Sequence, residues 1–222
     1  MSFFVSNVEG ELLLTTAGKI ALVAILAVLL IGAAAVAAKA GGGKKMGTRQ
    51  LVFCAMGMTL ATVTSMIKVY EFPFGGSVTL CSMLFICVIG WIYGQAAGIL
   101  TGFSYGVMQF LIGPYIYTPI QVLVDYPLAF GALGLAGFFH KAKHGLVKGY
   151  VAGILGRYVF AVISGWIFFG EYAWEGWNPF AYSLAYNGAY IFAEAAVTVA
   201  ILLVPAVAKS LGAIKVMANE EG

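Results

Sequence analysis

The sequence predicts an all-α integral membrane protein: a bundle of six transmembrane helices with one extra transmembrane helix ahead of it. Three observations predict this class. Of 222 residues, 62% are apolar and only 9% are charged, whereas a soluble domain carries about 25% charged residues. The mean hydropathy is +0.96, which leaves too little polar surface for a globule in water. The apolar residues also fall in runs close to the roughly 20 residues that a helix needs to cross a bilayer. The lipid bilayer is therefore the first partner.

The first run, Ile20 to Ala38, predicts a helix near 17–39. A secretory signal would be preceded by a basic segment. Here Glu9 and Glu11 precede it and Lys19 is the one basic residue, so the run reads as a retained span, with a signal anchor as the alternative. The stretch "KAGGGKKMGTRQ" that follows is Gly-rich and basic, a flexible linker, and places a boundary after residue 47. Six further helices are expected near 48–69, 78–94, 95–113, 117–139, 146–169 and 181–208, forming a core over 48–210. Residues 211–222 read as a cytoplasmic tail.

Charge sets the orientation. Lys39, Lys44, Lys45, Arg49, Lys141, Lys143, Lys148, Lys209 and Lys215 are nine of the 12 basic residues, and all fall on one side of this topology. The positive-inside rule makes that side cytoplasmic. Glu9, Glu11, Glu71, Glu171 and Glu175 fall on the other. The extra helix then leaves the N-terminus outside and the C-terminus inside.

Small residues recur at helical spacing. Gly90, Gly94, Gly98, Gly102 and Gly106 are four apart, a ridge that lets backbones approach closely in lipid. It reads as packing between the second and third core helices. On the first core helix, Ala55 and Thr59, and Gly57 and Ala61, are further small pairs four apart. That face serves either internal packing or a partner subunit.

Several chemistries are excluded. The net charge of +3 and the lack of a basic block argue against nucleic acid. Cys54, Cys81 and Cys87 sit in apolar runs without a CxxC pair and read as buried thiols. There is no P-loop, GxSxG or HExxH motif, and no nucleophile–base pair, so the chain is not read as an enzyme and ATP hydrolysis would fall to another chain. His140 and His144 have metal-ligand spacing but no third ligand, so no metal and no cofactor is expected.

Three ionisable residues fall inside predicted spans: Asp125, Arg157 and Glu194. Each costs about 2.5–3.5 kcal/mol at a helix centre, so each should face the interior, a cavity or another charge. Arg157 and Glu194 share a level near mid-membrane, where they form either an ion bridge or part of a cavity. Asp125, in "QVLVDYPLAF", is shallower, about 12 Å below the outer end of its helix at 1.5 Å per residue. Gln121 lies one turn above it on the same face. Arg157, Ala161, Gly165 and Phe169 make one stripe of the fifth core helix, and Tyr182, Tyr186, Tyr190 and Glu194 one stripe of the sixth, with Ser183 and Asn187 alongside. Polar-tipped aromatics facing small residues suit a flat heteroaromatic ligand, whose positive charge gains cation–π attraction. Interfacial anchoring is the other role for such tyrosines. Trp174 and Trp177, in "GEYAWEGWNPF", either anchor the interface or cap a pocket opening outward.

Four stretches, "FPFGGSVTLCSM", "PIQVLVDYPLAF", "RYVFAVISGWIFFGEYAWEGW" and "AYSLAYNGAY", resemble the thiamine-specific substrate-binding (S) subunits of energy-coupling-factor transporters, over roughly residues 48 to 210. The resemblance implies a six-helix bundle in a bacterial plasma membrane with a vitamin site near its outer face. It also implies three partners, a transmembrane coupling subunit and two ABC-type ATPases that drive import. Ala55, Gly57, Thr59 and Ala61 would meet the coupling subunit. Carried over by motif, Asp125 would meet the aminopyrimidine of thiamine, Tyr115, Tyr126 and Phe169 would be pocket aromatics, Arg157 the basic position, and Gly165, Tyr182 and Asn187 direct matches. Gln121, Ala161 and Tyr186 complete the expected set. The chain departs from the family at Ala161, where a histidine is usual, and at Glu194. A thiamine precursor or another heterocyclic vitamin therefore stays open as ligand, and a stand-alone secondary transporter coupled through Arg157 and Glu194 stays open as mechanism.

Overall fold

In a computed structural model, residues 46–220 are described together with the backbone of a short antiparallel hairpin, β1 (Val5–Val8) paired with β2 (Glu11–Leu14). The expected helix near 17–39 lies outside the described residues. From residue 46 the chain is helical throughout except for a second hairpin and short turns. The helices are α1 (Thr48–Ser65), α2 (Ser82–Tyr93), α3 (Gln95–Ile112), α4 (Pro119–Phe139), α5 (Gly145–Phe168), α6 (Pro179–Leu202) and α7 (Pro205–Asn219). Of these, α4, α5 and α6 are both long and apolar enough to cross a bilayer. The protein is an all-α membrane protein apart from the hairpins.

Two boundaries differ from expectation. The last core helix, expected over 181–208, is two helices. The apolar run continues across the break, but Pro205 cannot donate the backbone bond that would extend α6, and it starts α7 instead. The segment between α1 and α2, which carries no helical or strand periodicity, forms a hairpin of β3 (Lys68–Glu71) and β4 (Ser77–Thr79). A 3-10 turn, Pro73–Gly75, makes its tip, where Phe74 has φ 66° and Gly75 φ 95°. That region is uncommon for a residue with a bulky side chain.

The glycine ridge packs α3, chiefly against α4. A Cβ at Gly102 would stand 2.4 Å from the Phe130 carbonyl oxygen, and one at Gly106 would stand 2.3 Å from that of Tyr126. Gly134 and Gly137 answer from α4, meeting the backbone of Ile99 and Gln95. Only Gly98, against Gly90, packs α3 on α2 as the sequence suggested. These helices meet backbone to backbone, which makes the floor beneath the candidate site rigid.

The small pairs of α1 separate. Gly57 packs on Ile89, and Ala61 is fully buried with its carbonyl accepting from the Tyr105 hydroxyl at 3.2 Å. Ala55 and Thr59 face outward, with Leu51, Val52, Met56, Leu60 and Val63 exposed around them. Of the four residues expected on a partner face, Gly57 and Ala61 are covered by the chain's own α2 and α3. Cys54, Cys81 and Cys87 are free and buried.

Candidate functional site

One cavity gathers residues from α4, α5, α6, the β3–β4 tip and the loop after α3. The construction begins in α4. Pro127 lacks a backbone N–H, and the helix widens into a π-turn over Val124–Leu128. Such turns concentrate at functional sites because they re-aim side chains. Asp125 sits in the widened turn and lines the cavity.

Gln121, 1% exposed, holds Asp125. Its Nε2 donates to Asp125 Oδ2 at 2.6 Å, and its Oε1 accepts from the Tyr117 amide at 2.9 Å. The Thr118 hydroxyl caps α4 by accepting from the Gln121 amide at 3.1 Å. Tyr126 ties the same loop down: its hydroxyl donates to the Gly113 carbonyl at 3.1 Å and accepts from the Tyr115 amide at 3.0 Å. Tyr115 is thereby set against Phe169, with ring centroids 5.7 Å apart.

On the opposite wall, Gly165 allows α5 and α6 to close. A Cβ there would lie 2.3 Å from Ser183 Oγ and 2.9 Å from Asn187 Nδ2. Ser183 donates to the Val162 carbonyl at 2.8 Å, Asn187 Nδ2 donates to the Ser183 carbonyl at 2.9 Å, and the Tyr190 hydroxyl donates to Asn187 Oδ1 at 2.8 Å. Tyr182 and Tyr186 stack at 5.7 Å with an interplanar angle of 27°. Tyr186 also fastens the hairpin tip: its hydroxyl accepts from the Gly76 amide at 3.0 Å and donates to the Pro73 carbonyl.

Arg157 is half-buried at the edge of the cavity, over the Phe130 ring at 4.3 Å. It also lines a second, inner cavity with Glu194, yet the two are not an ion pair. Among the described residues the ion pair formed is Lys68–Glu71. Glu194, 2% exposed, instead accepts from the Thr79 amide and hydroxyl at 3.0 and 2.6 Å, and from Ser82 Oγ and the Met83 amide, both at 3.3 Å. Its carboxylate caps the N-terminus of α2 and holds β4 to α6. Negative charge is favourable there because the first amides of a helix lack intrahelical partners.

All eleven ligand-contact candidates line this cavity: Tyr115, Gln121, Asp125, Tyr126, Arg157, Ala161, Gly165, Phe169, Tyr182, Tyr186 and Asn187. Phe74, Gly75, Gly76, Ala129 and Tyr172 line it as well and were missed. They sit on "PFGGS" at the hairpin tip and, in sequence, on either side of α5's stripe, and nothing local in those stretches says what they face. Trp174 lies against Tyr182 at 5.4 Å and is 58% exposed, outside the cavity lining. His140 and His144 acquire no third ligand, and no group of three His, Cys, Asp or Glu side chains gathers among the described residues.

A helical membrane bundle with an aromatic-walled cavity and one carboxylate aimed into it has the form of a small-molecule transport protein. The chain belongs to the thiamine transporter protein family, whose model matches residues 51–212, and is an S component of that kind. It is 38% identical over 133 residues to the thiamine transporter ThiT of Bacillus subtilis strain 168, covering 54% of this chain and 69% of that protein. It is 27% identical over 165 residues to ThiT of Lacticaseibacillus paracasei, covering 67% and 79%. A solved ThiT structure from Listeria monocytogenes superposes with a TM-score of 0.60 at 27% identity, covering 69% of this chain and 92% of that one.

Proposed function

We propose that this chain binds thiamine in the cavity and delivers it inward as the S subunit of an energy-coupling-factor importer, with ATP hydrolysed by two partner ATPases. The observation that carries the reading is Asp125, a carboxylate held at fixed orientation by a buried glutamine inside a cage of aromatic rings. A ligand that is flat, cationic and carries an amino-substituted ring matches each part. The carboxylate accepts from the amino edge, and the rings of Tyr115, Phe169, Tyr182 and Tyr186 offer faces to the cation. Asn187 and Ser183 are turned largely to one another and shape the wall. The relatives, themselves thiamine transporters, support thiamine as that ligand.

Ala161 leaves the space a larger residue would fill, so a thiamine relative with a bulkier ring substituent is accommodated on that side. The secondary-transport alternative loses its motivation, because Glu194 is committed to capping α2 and forms no ion pair with Arg157. Coupling-subunit contact is assigned to the outward stripe of α1, Ala55 and Thr59 with their apolar neighbours. The basic helix ends face the cytoplasm. Titration of the purified protein with thiamine tests the reading. Saturable binding that is lost in Asp125→Asn, with folding retained, supports it. Undiminished binding in that variant removes Asp125 from the site.

A further inference from the structure

A further cavity, about 460 Å³, lies at the far end of the bundle, among the ends of α2 and α6, the turn between α4 and α5, and α7. That size is within the range of small-molecule sites. Four of its lining side chains are basic, His140, Lys141, His144 and Lys215, and among the described residues no Asp or Glu lines it. Lys215 is fixed rather than trailing in solvent. Its Nζ donates to the Trp91 carbonyl at 2.9 Å and to that of His140, and lies 4.2 Å over the Trp91 ring. Burial and the neighbouring charges of Lys141 and Lys215 push His140 below its ordinary value, as expected where cations gather without a counter-ion.

The surroundings decide what kind of anion belongs there. The cavity sits where α5 begins and α6 ends, both of them bilayer-spanning helices, so it lies at headgroup depth. The rest of its lining is largely apolar: Leu146, Val147, Leu202 and Leu203 line it, and Leu203 is 67% exposed. A soluble anion has no use for those apolar side chains, whereas a phospholipid places its phosphate among the cations and its acyl chains against the leucines and valine. Basic pockets between transmembrane helices hold anionic headgroups in this way. We infer that this cavity is a binding site for the headgroup of an anionic phospholipid, gripped by Lys141, His144 and Lys215 beside Trp91. The inference does not depend on the identity of the transported ligand.

The full chain in detergent, examined by native mass spectrometry with phosphatidylglycerol or phosphatidylcholine of matched acyl chains, tests it. Phosphatidylglycerol should be retained preferentially. Lys141→Gln should weaken that retention about fivefold, the worth of one lysine near a headgroup, and His144→Gln should weaken it further. Both side chains are exposed, so folding survives. Lys148→Gln removes an equal charge nearby, but outside the cavity, and should change nothing. Equal retention of the two lipids overturns the inference, as does an equal loss in Lys148→Gln. Stabilisation by inorganic phosphate alone, matching that by lipid in thermal unfolding, assigns the site to a soluble anion and overturns it too.

Discussion

Replacing Glu194 by glutamine separates two physical roles for a carboxylate in mid-bundle. Each oxygen accepts from one backbone amide and one hydroxyl: Oε2 from Thr79, Oε1 from Ser82 and Met83. Glutamine keeps one acceptor oxygen and turns an NH₂ toward the other pair. The hydroxyl there can rotate to accept, but the backbone amide cannot, and it is left unsatisfied. A buried unsatisfied donor costs about 1–3 kcal/mol, and loss of negative charge at the α2 N-terminus costs about 0.3–1 kcal/mol more. A destabilisation of about 2–3 kcal/mol follows. The loss loosens β4, whose hairpin tip covers the cavity, so ligand should also dissociate faster. Thermal unfolding and stopped-flow dissociation measure the two effects. A double-mutant cycle identifies the partner. Glu194→Gln should couple to Thr79→Val by about 1 kcal/mol or more and be additive with Arg157→Gln. Strong coupling to Arg157 with none to Thr79 would refute the capping role and restore the ion bridge.

Other expectations follow from the same geometry. Gly106→Ala places a methyl 2.3 Å from the Tyr126 carbonyl oxygen; since backbone cannot yield like a side chain, it should destabilise by about 1–3 kcal/mol and displace Asp125 next door, weakening ligand binding as well. Phe169→Ala removes the ring that faces both Tyr115 and Tyr117 at 5.7 Å, and calorimetry should find affinity lowered by at least about 0.5–1.5 kcal/mol. Gln121→Leu frees Asp125 from its fixed orientation and should reduce affinity several-fold with little change in folding, because Asp125 still reaches the cavity. His140, whose folded value lies below the ordinary value of about 6.5, is disfavoured in its charged form, so it subtracts stability as pH falls below that value and subtracts nothing above it. An NMR titration of the ring should find it, and Lys141→Gln should raise it.

The parts of the fold visible in the sequence were those set by local composition. Apolar runs located α1 to α6 to within a few residues, because a span must be long and uninterrupted whatever surrounds it. Residues 203–205 failed the same reasoning: apolarity is continuous there, and only the missing N–H of Pro205 ends the run of helix. The β3–β4 hairpin was illegible because Tyr186 and Glu194, more than 100 residues away, hold it in place. Asp125 was legible because a carboxylate in an apolar run is costly and so demands a reason. Glu194 raised the same flag, but half of its partners are backbone amides, which no side-chain pattern announces. The glycine ridge was read correctly as close packing, yet its principal partner is α4, since spacing on one helix does not name the helix it meets. Phe74 and Gly76 entered the cavity wall through the hairpin and could not be read before it.

The central claim is that Asp125, oriented by Gln121 within the aromatic cage, holds thiamine. Titration of the detergent-purified protein with thiamine, followed by quenching of tryptophan fluorescence and checked by calorimetry, tests it most directly. The account predicts saturable binding at nanomolar to low micromolar thiamine, abolished in Asp125→Asn at unchanged thermal stability. Absence of binding by the folded wild-type protein, or equal affinity in the variant, would contradict it.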